Sequence, residues 1–415
     1  MPLSENGNLK LRLIDAQPVS YEGATYLLLR DPLALTDKTL LVPQPYVPIL
    51  SLLDGSRNIG ALRAAAALRF GLFLTPERIA EFIHALDDAL LLENVRSEQA
   101  RQIAREQFRR EPFRPPASAG LSYPQEAAEL SAYLQQFIDE AASTPTPDLD
   151  GSMVRGVVSP HIDYERGGPV YAQVWSAAAQ AAREADLAII FGTDHFSEGY
   201  PFSLTCQNYA TPYGVLPTAQ QIVDELAAVI GPENAFAGEL HHRREHSIEL
   251  AAVWLHHMRG GRPVELVPVL CGSMESALGA IRPESGTQAA PPDIEAILAV
   301  LRRAAQSRKT LVVAAGDLAH VGPAFSGDPV DPGKLILLQQ ADEELIQAMC
   351  NGDAEGFYQA IQRAQDVNNV CGVSPIYLTL RLLQPIRGQR FGYSVCPADQ
   401  HQTSVVTICG VVLHQ

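Results

Sequence analysis

Residues 187–195, Leu-Ala-Ile-Ile-Phe-Gly-Thr-Asp-His, begin as an unbroken apolar run and end on a carboxylate and an imidazole. A short apolar run without polar alternation is how a strand buried on both faces reads, and such strands belong to parallel sheets. The same pattern recurs at Val154–Ser159, Val264–Leu270 and Thr310–Ala315. Helical spacing lies between these runs, at Val170–Arg183, Ala219–Ile230, His246–Met258 and Ile294–Ala305, and continues at Leu335–Met349 and Ser374–Leu383. Ser404–Leu413 reads as a last strand. Strand and helix in alternation predict an α/β fold, a largely parallel sheet flanked by helices.

The chain has 415 residues, 47% of them apolar, so a large α/β domain leaves room for a second unit. Residues 9–44 suggest short strands, and Pro45–Leu53, Ile59–Phe70 and Pro76–Ala89 have helical spacing. A charged helix, Arg96–Arg110, is followed by the Pro-rich stretch Glu-Pro-Phe-Arg-Pro-Pro-Ala-Ser-Ala-Gly at 111–120, which predicts a linker over 109–117. The expected organisation is a small α+β domain at 1–108 and an α/β domain at 118–415.

Net charge is −16, and it is unevenly spread. The first 110 residues hold 13 basic and 13 acidic side chains, and the remainder 18 and 34. Neither part has the basic footprint that nucleic acid or an anionic membrane surface requires, so both partners are excluded. No apolar run approaches the roughly 20 residues of a membrane span, and the start, MPLSENGNLK, lacks a basic-then-apolar leader. A cytoplasmic protein is expected. The six cysteines are dispersed and form no CxxC pair, unlike a disulfide framework.

Three of the predicted strands end in chemistry: His161 and Asp163 after the first, Asp194 and His195 after the second, Asp317 and His320 after the Thr310–Ala315 run. Ligands of open α/β sheets bind beyond the carboxyl ends of strands, so three such ends can converge on one site. Any one of these histidines alone reads as a hydrogen-bonded structural residue; three at equivalent positions read as a pocket. Asp163 stands two residues from His161, the same-face spacing of a strand. A fourth element, His242-Arg-Arg-Glu245-His246, has the HxxEH spacing in which two histidines hold zinc and a glutamate serves as base. It reads equally as a helix start bearing hydrogen-bonding side chains. Cys371 precedes Gly372 and a helix start near Ser374, where the helix N-terminus favours a thiolate. Cys206, Cys271 and Cys409 sit in apolar surroundings and read as small buried hydrophobes.

These blocks together resemble the Memo family, called AmmeMemoRadiSam system protein B in bacteria. From Ser122-Tyr123-Pro124 onward, SPHIDY, GTDH, TPYG, EHSIEL, VPVLCG, GDLAHVG and VCGVSPIYL stand in the family's order. The resemblance implies a fold related to class III extradiol dioxygenases and a mononuclear iron or copper site, with zinc the lesser fit. It places metal-binding His, His and Cys at His161, His195 and Cys371, with Asp317 and His320 lining the pocket as acid/base groups. Asp163, Asp194, His242, Glu245 and His246 would surround it. It also implies redox chemistry on an unidentified small molecule or peptide, and a radical SAM enzyme as partner. Asp163 and Asp194 depart from the family's Gly and Ser and make the pocket more acidic. The first hundred residues resemble the small winged-helix-like domain of the PqqD type, a peptide-binding fold. Two alternatives remain at this point: a non-catalytic peptide- or protein-binding module, and a zinc hydrolase built on HxxEH.

Overall fold

The structure, a computed structural model, describes residues 7–143, 149–197, 199–273 and 293–415. It divides into two compact units, Met1–Arg110 and Glu111–Gln415. The second unit therefore begins inside the stretch that composition marks as a linker. Arg114 in that stretch is fully buried.

In the first unit, strands Asp15–Tyr21, Ala24–Arg30 and Leu40–Pro43 form an antiparallel sheet in sequence order. Helices Ile59–Phe70, Pro76–Asp88 and Val95–Arg110 follow. Asn58 and Thr75 start the first two, each side chain accepting a backbone N–H one turn on. Gly71 ends the first in the left-handed conformation. Leu29, Val42, Ile49, Leu62, Ile83 and Leu86 are among the buried side chains of this unit's own core. The Leu9–Ile14 stretch, expected as strand, makes only isolated bridges, Lys10 to Asp54 and Leu11 to Leu92.

The second unit is built on an eight-stranded sheet. Four parallel strands form its centre in the order Val154–Ser159, Thr310–Ala315, Leu187–Thr193 and Glu265–Cys271. Antiparallel strands flank them: Val405–His414 beside Val154–Ser159, and Phe202–Leu204 beside Glu265–Cys271. The tail strand appears where the sequence places it, and the strand Arg387–Pro397 that pairs with it was not foreseen. Only Phe391 and Cys396 of that strand are buried, and it has no continuous apolar run.

Alternate strand residues point to opposite faces, and each face has its own core. Ile189, Phe191, Val267 and Val312 pack under the helices Gln220–Ile230, Ile294–Ser307, Ala354–Arg363 and Val373–Leu383. Ala188, Ile190, Leu266 and Val313 pack with Trp175 and Trp254, under Ala127–Ala141, Tyr164–Ala177 and Ser247–Met258. Burial on both faces is why the central strands read as continuous apolar runs. Among the described residues no helix is long and apolar enough to cross a membrane.

Candidate metal centre

The first three strands of the parallel set lie side by side, so their carboxyl ends open onto one crevice. His161, Asp317 and His195 leave these three adjacent ends. Cys371 arrives from another direction, at the start of the Val373–Leu383 helix, which packs on the same strands. Its approach depends on two glycines. A Cβ on Gly372 would lie 2.6 Å from the Asp317 carbonyl oxygen, and one on Gly316 would lie 2.6 Å from the Gly372 Cα. No side chain fits at either position, and the two backbones pass in contact.

The Sγ of Cys371 lies 3.3 Å from Nε2 of His161. The Nδ1–H of His161 donates to the Ala315 carbonyl at 3.0 Å, which fixes the ring and turns Nε2 towards the thiol. Asp317 Oδ1 accepts from the His161 backbone N–H at 2.8 Å, and its Oδ2 is 3.8 Å from His161 Nε2. Across the crevice, Nδ1 of His195 lies 3.1 Å from both carboxylate oxygens of Glu245, whose Oε1 also lies 3.2 Å from Nδ1 of His246. Glu245 is fully buried and accepts further from the backbone N–H groups of His195, His246 and Ser247. One carboxylate therefore hydrogen-bonds Nδ1 of His195 and faces Nδ1 of His246, leaving each Nε2 for the crevice.

Burial alone would raise the Cys371 thiol, but charge on His161 and hydrogen bonds from His161 and His195 bring it down to about 6. Burial likewise disfavours charge on His161, and the Cys371 thiolate and Asp317 outweigh it. His195 shifts upward because Glu245 overcomes its burial. His246, where burial prevails, goes down to about 4. The side chains of His195 and His246 are 34% and 41% exposed, so the crevice opens to solvent on their side.

Among the described residues two groups bring potential ligand atoms within 4.8 Å of one another: His161, His195 and His246, and His161, Asp317 and Cys371. They share His161. Imidazole nitrogens with their other nitrogen hydrogen-bonded, beside a thiolate, are the donor set of a transition-metal site, and the surroundings supply the outer hydrogen bonds that orient such ligands. The residues fit a metal ion.

Other expected residues stand elsewhere. The Val154–Ser159 strand ends before His161, so alternation does not carry on to Asp163. Asp163 instead caps the Tyr164–Ala177 helix, accepting from the Arg166 N–H at 3.1 Å and pairing with the Arg166 guanidinium. Asp194 is buried and holds His241 Nδ1 at 2.8 Å and the Phe196 N–H at 3.0 Å. His320 turns Nδ1 to the Leu318 carbonyl at 3.2 Å and lies edge-on to Phe325.

His242 is not a ligand. It lies in a short 3-10 turn, Glu239–Arg243, and the helix begins only at Ser247, so HxxEH does not place two histidines on one helical face. Both its nitrogens are taken: Nε2–H donates to the Ser203 carbonyl at 2.9 Å and Nδ1 accepts from the Tyr209 hydroxyl at 2.5 Å. The zinc-hydrolase alternative therefore lacks its first ligand.

The sequence reading missed what holds Glu245 in place. Arg114 donates to the Glu245 carbonyl at 2.8 Å and the His242 carbonyl at 2.7 Å, and pairs with Glu249. Glu249 also takes the N–H groups of Ala117 and Ser118 and the Tyr123 hydroxyl. A signal existed in Ser-Ile-Glu-Leu-Ala-Ala-Val-Trp-Leu, since a glutamate inside an all-apolar helix needs a buried cation.

The family profile described as Memo-like protein matches residues 114–411. A MEMO1 family protein of Aquifex aeolicus is 26% identical over 413 residues, covering 98% of this chain and 99% of its own length. MEMO1 family proteins of Methanosarcina barkeri and Thermus thermophilus are each 27% identical, over 285 and 337 residues, covering 68% and 80% of this chain and 92% of each relative.

Proposed function

Because the chain belongs to the Memo family, we propose that its second unit is a metalloprotein holding one iron or copper ion at His161, His195 and Cys371 and using it in redox chemistry. The observation that carries this reading is the 3.3 Å approach of the Cys371 Sγ to His161 Nε2 inside a crevice whose imidazoles are already oriented by outer hydrogen bonds. Thiolate favours soft or borderline ions, and imidazole serves iron, copper and zinc alike. When bound, an iron or copper ion would supply an accessible change of oxidation state.

The protein's own groups have distinct tasks. The Ala315 carbonyl and Glu245 hold His161 and His195 by Nδ1 and so direct each Nε2. Asp317, 1% exposed, stands beside the His161 ring and is placed to take a proton from, or return one to, a molecule bound in the crevice. The solvent-open side at His195 and His246 is where a small molecule or the end of a peptide would enter. Ile190 and Val313, in two of the strands that lead to the site, are fully buried, so the crevice is closed to water along those strands.

The test is element analysis of the full chain purified without oxygen. About one iron or copper per chain, with zinc a minor component, supports the reading. Protein that carries no metal as purified, and takes up neither Fe(II) nor Cu(I) on titration, refutes it.

A further inference from the structure

We infer that His246 is itself a metal ligand, the third imidazole of a His161, His195 and His246 set that surrounds one ion together with the Cys371 thiolate. Glu245 is then the positioning residue for two of the three rings. This rests on the metal reading above and adds a ligand that the His161, His195 and Cys371 assignment leaves out.

The first support is spacing. Three imidazoles that each bind a tetrahedral ion through one nitrogen, at about 2.0–2.1 Å, place their ring centres about 5 Å apart. The ring centres of His161 and His195 are 5.0 Å apart, those of His161 and His246 5.4 Å, and those of His195 and His246 5.0 Å. One ligand atom from each ring lies within 4.8 Å of the other two.

The second is that Glu245 faces the same atom, Nδ1, of both rings. It lies 3.1 Å from Nδ1 of His195 and 3.2 Å from Nδ1 of His246, so the atom left to each ring is the same, Nε2. An imidazole whose Nδ1–H is held by a carboxylate is the usual arrangement of a metal-ligating histidine, because that contact fixes the tautomer and raises the basicity of the other nitrogen. His195 meets that description by hydrogen bonds to both carboxylate oxygens, and His246 by a 3.2 Å ion-pair contact with Oε1.

The third is what His246 does not do. It occupies the N-cap of the Ser247–Met258 helix, where a polar side chain ordinarily satisfies a free backbone N–H, and it makes no capping hydrogen bond. Glu245 takes the N–H groups of His246 and Ser247 instead. The imidazole is thus freed from the helix end and turned towards the other two rings.

The experiment is Co(II) substitution of the metal-free full chain, read by absorption. The parent should show a thiolate-to-cobalt charge-transfer band and the intense visible bands of four-coordinate cobalt. His246→Ala should keep the charge-transfer band, lose visible intensity and bind Co(II) more than 100-fold more weakly. That exceeds the roughly 10–100-fold loss typical of an orienting contact, which is the loss expected of Glu245→Gln. Added imidazole should restore the visible bands of His246→Gly, a rescue that a purely structural role would not allow. If His246→Ala gives the parent's spectrum while Cys371→Ser loses the charge-transfer band, the metal reading stands and this inference falls. The inference also falls if imidazole leaves the natively folded His246→Gly spectrum unchanged. A parent that shows neither band removes the metal reading and this inference with it.

Discussion

Cys371 Sγ and His161 Nε2 lie 3.3 Å apart although 210 residues separate them in the chain. Two different devices bring them there. His161 follows directly from the end of a central strand, and Cys371 is set down by a backbone that can pass Asp317 only because Gly372 and Gly316 have no side chains.

A methyl group at that crossing should therefore displace the thiol. Gly372→Ala would force its Cβ to within 2.6 Å of the Asp317 carbonyl oxygen. Overpacking of this kind costs about 1–3 kcal/mol. The expected outcome is a lower urea midpoint together with weakened metal binding, measured by denaturation and by metal titration of the same preparation. A variant with parental stability and parental affinity would mean that the two backbones can separate freely.

Arg114 and Glu249 are both fully buried and pair with each other. Removing one member of a buried pair costs about 3–5 kcal/mol, because the other charge is left without its counterpart. Arg114→Met should lower the unfolding free energy by about that amount. It should also loosen the 242–245 segment, whose carbonyls Arg114 holds. Denaturant titration measures the first effect, and hydrogen exchange of the His246 and Ser247 amides the second.

Acid sensitivity follows from His242. Its burial keeps the imidazole neutral in the folded protein down to about 3, against 6.5 for the free group. Between these values the unfolded chain binds a proton that the folded chain does not, so stability is complete above pH 6.5 and declines as the pH falls. The slope from one such group is about 1.4 kcal/mol per pH unit. Unfolding free energies measured between pH 6.5 and 4.5 should show this slope diminished in His242→Gln. An unchanged pH dependence in that variant would show that His242 is protonated alike in both states.

The crevice was legible in the sequence because its residues follow buried parallel strands. A strand covered on both faces leaves an apolar run, and the residue after the run lies at the carboxyl edge, as His161, His195 and Asp317 do. That inference failed where regular structure stopped. Asp163 was placed by strand alternation, but the strand ends at Ser159 and Asp163 serves a helix cap. His242 was paired with His246 by helical spacing, but a 3-10 turn separates it from the helix. Arg114 stayed hidden because proline and small residues around it resemble a linker, and only the buried Glu249, 135 residues away, gives it a reason to be inside. Periodicity carries information about faces, and contacts made by loops across such distances leave none in it.

The most direct measurement compares metal content and affinity in Cys371→Ser and His242→Ala beside the parent chain, all purified identically without oxygen and matched by circular dichroism. Replacing the thiolate should remove most of the bound iron or copper, since a soft donor is lost from the site itself. His242→Ala, which touches only Tyr209 and the Ser203 carbonyl, should keep its metal with a loss no greater than about 10–100-fold in affinity. If Cys371→Ser retains its metal and His242→Ala loses it, the ion is not held at His161, His195 and Cys371, and the likeness to the Memo family extends to the fold alone.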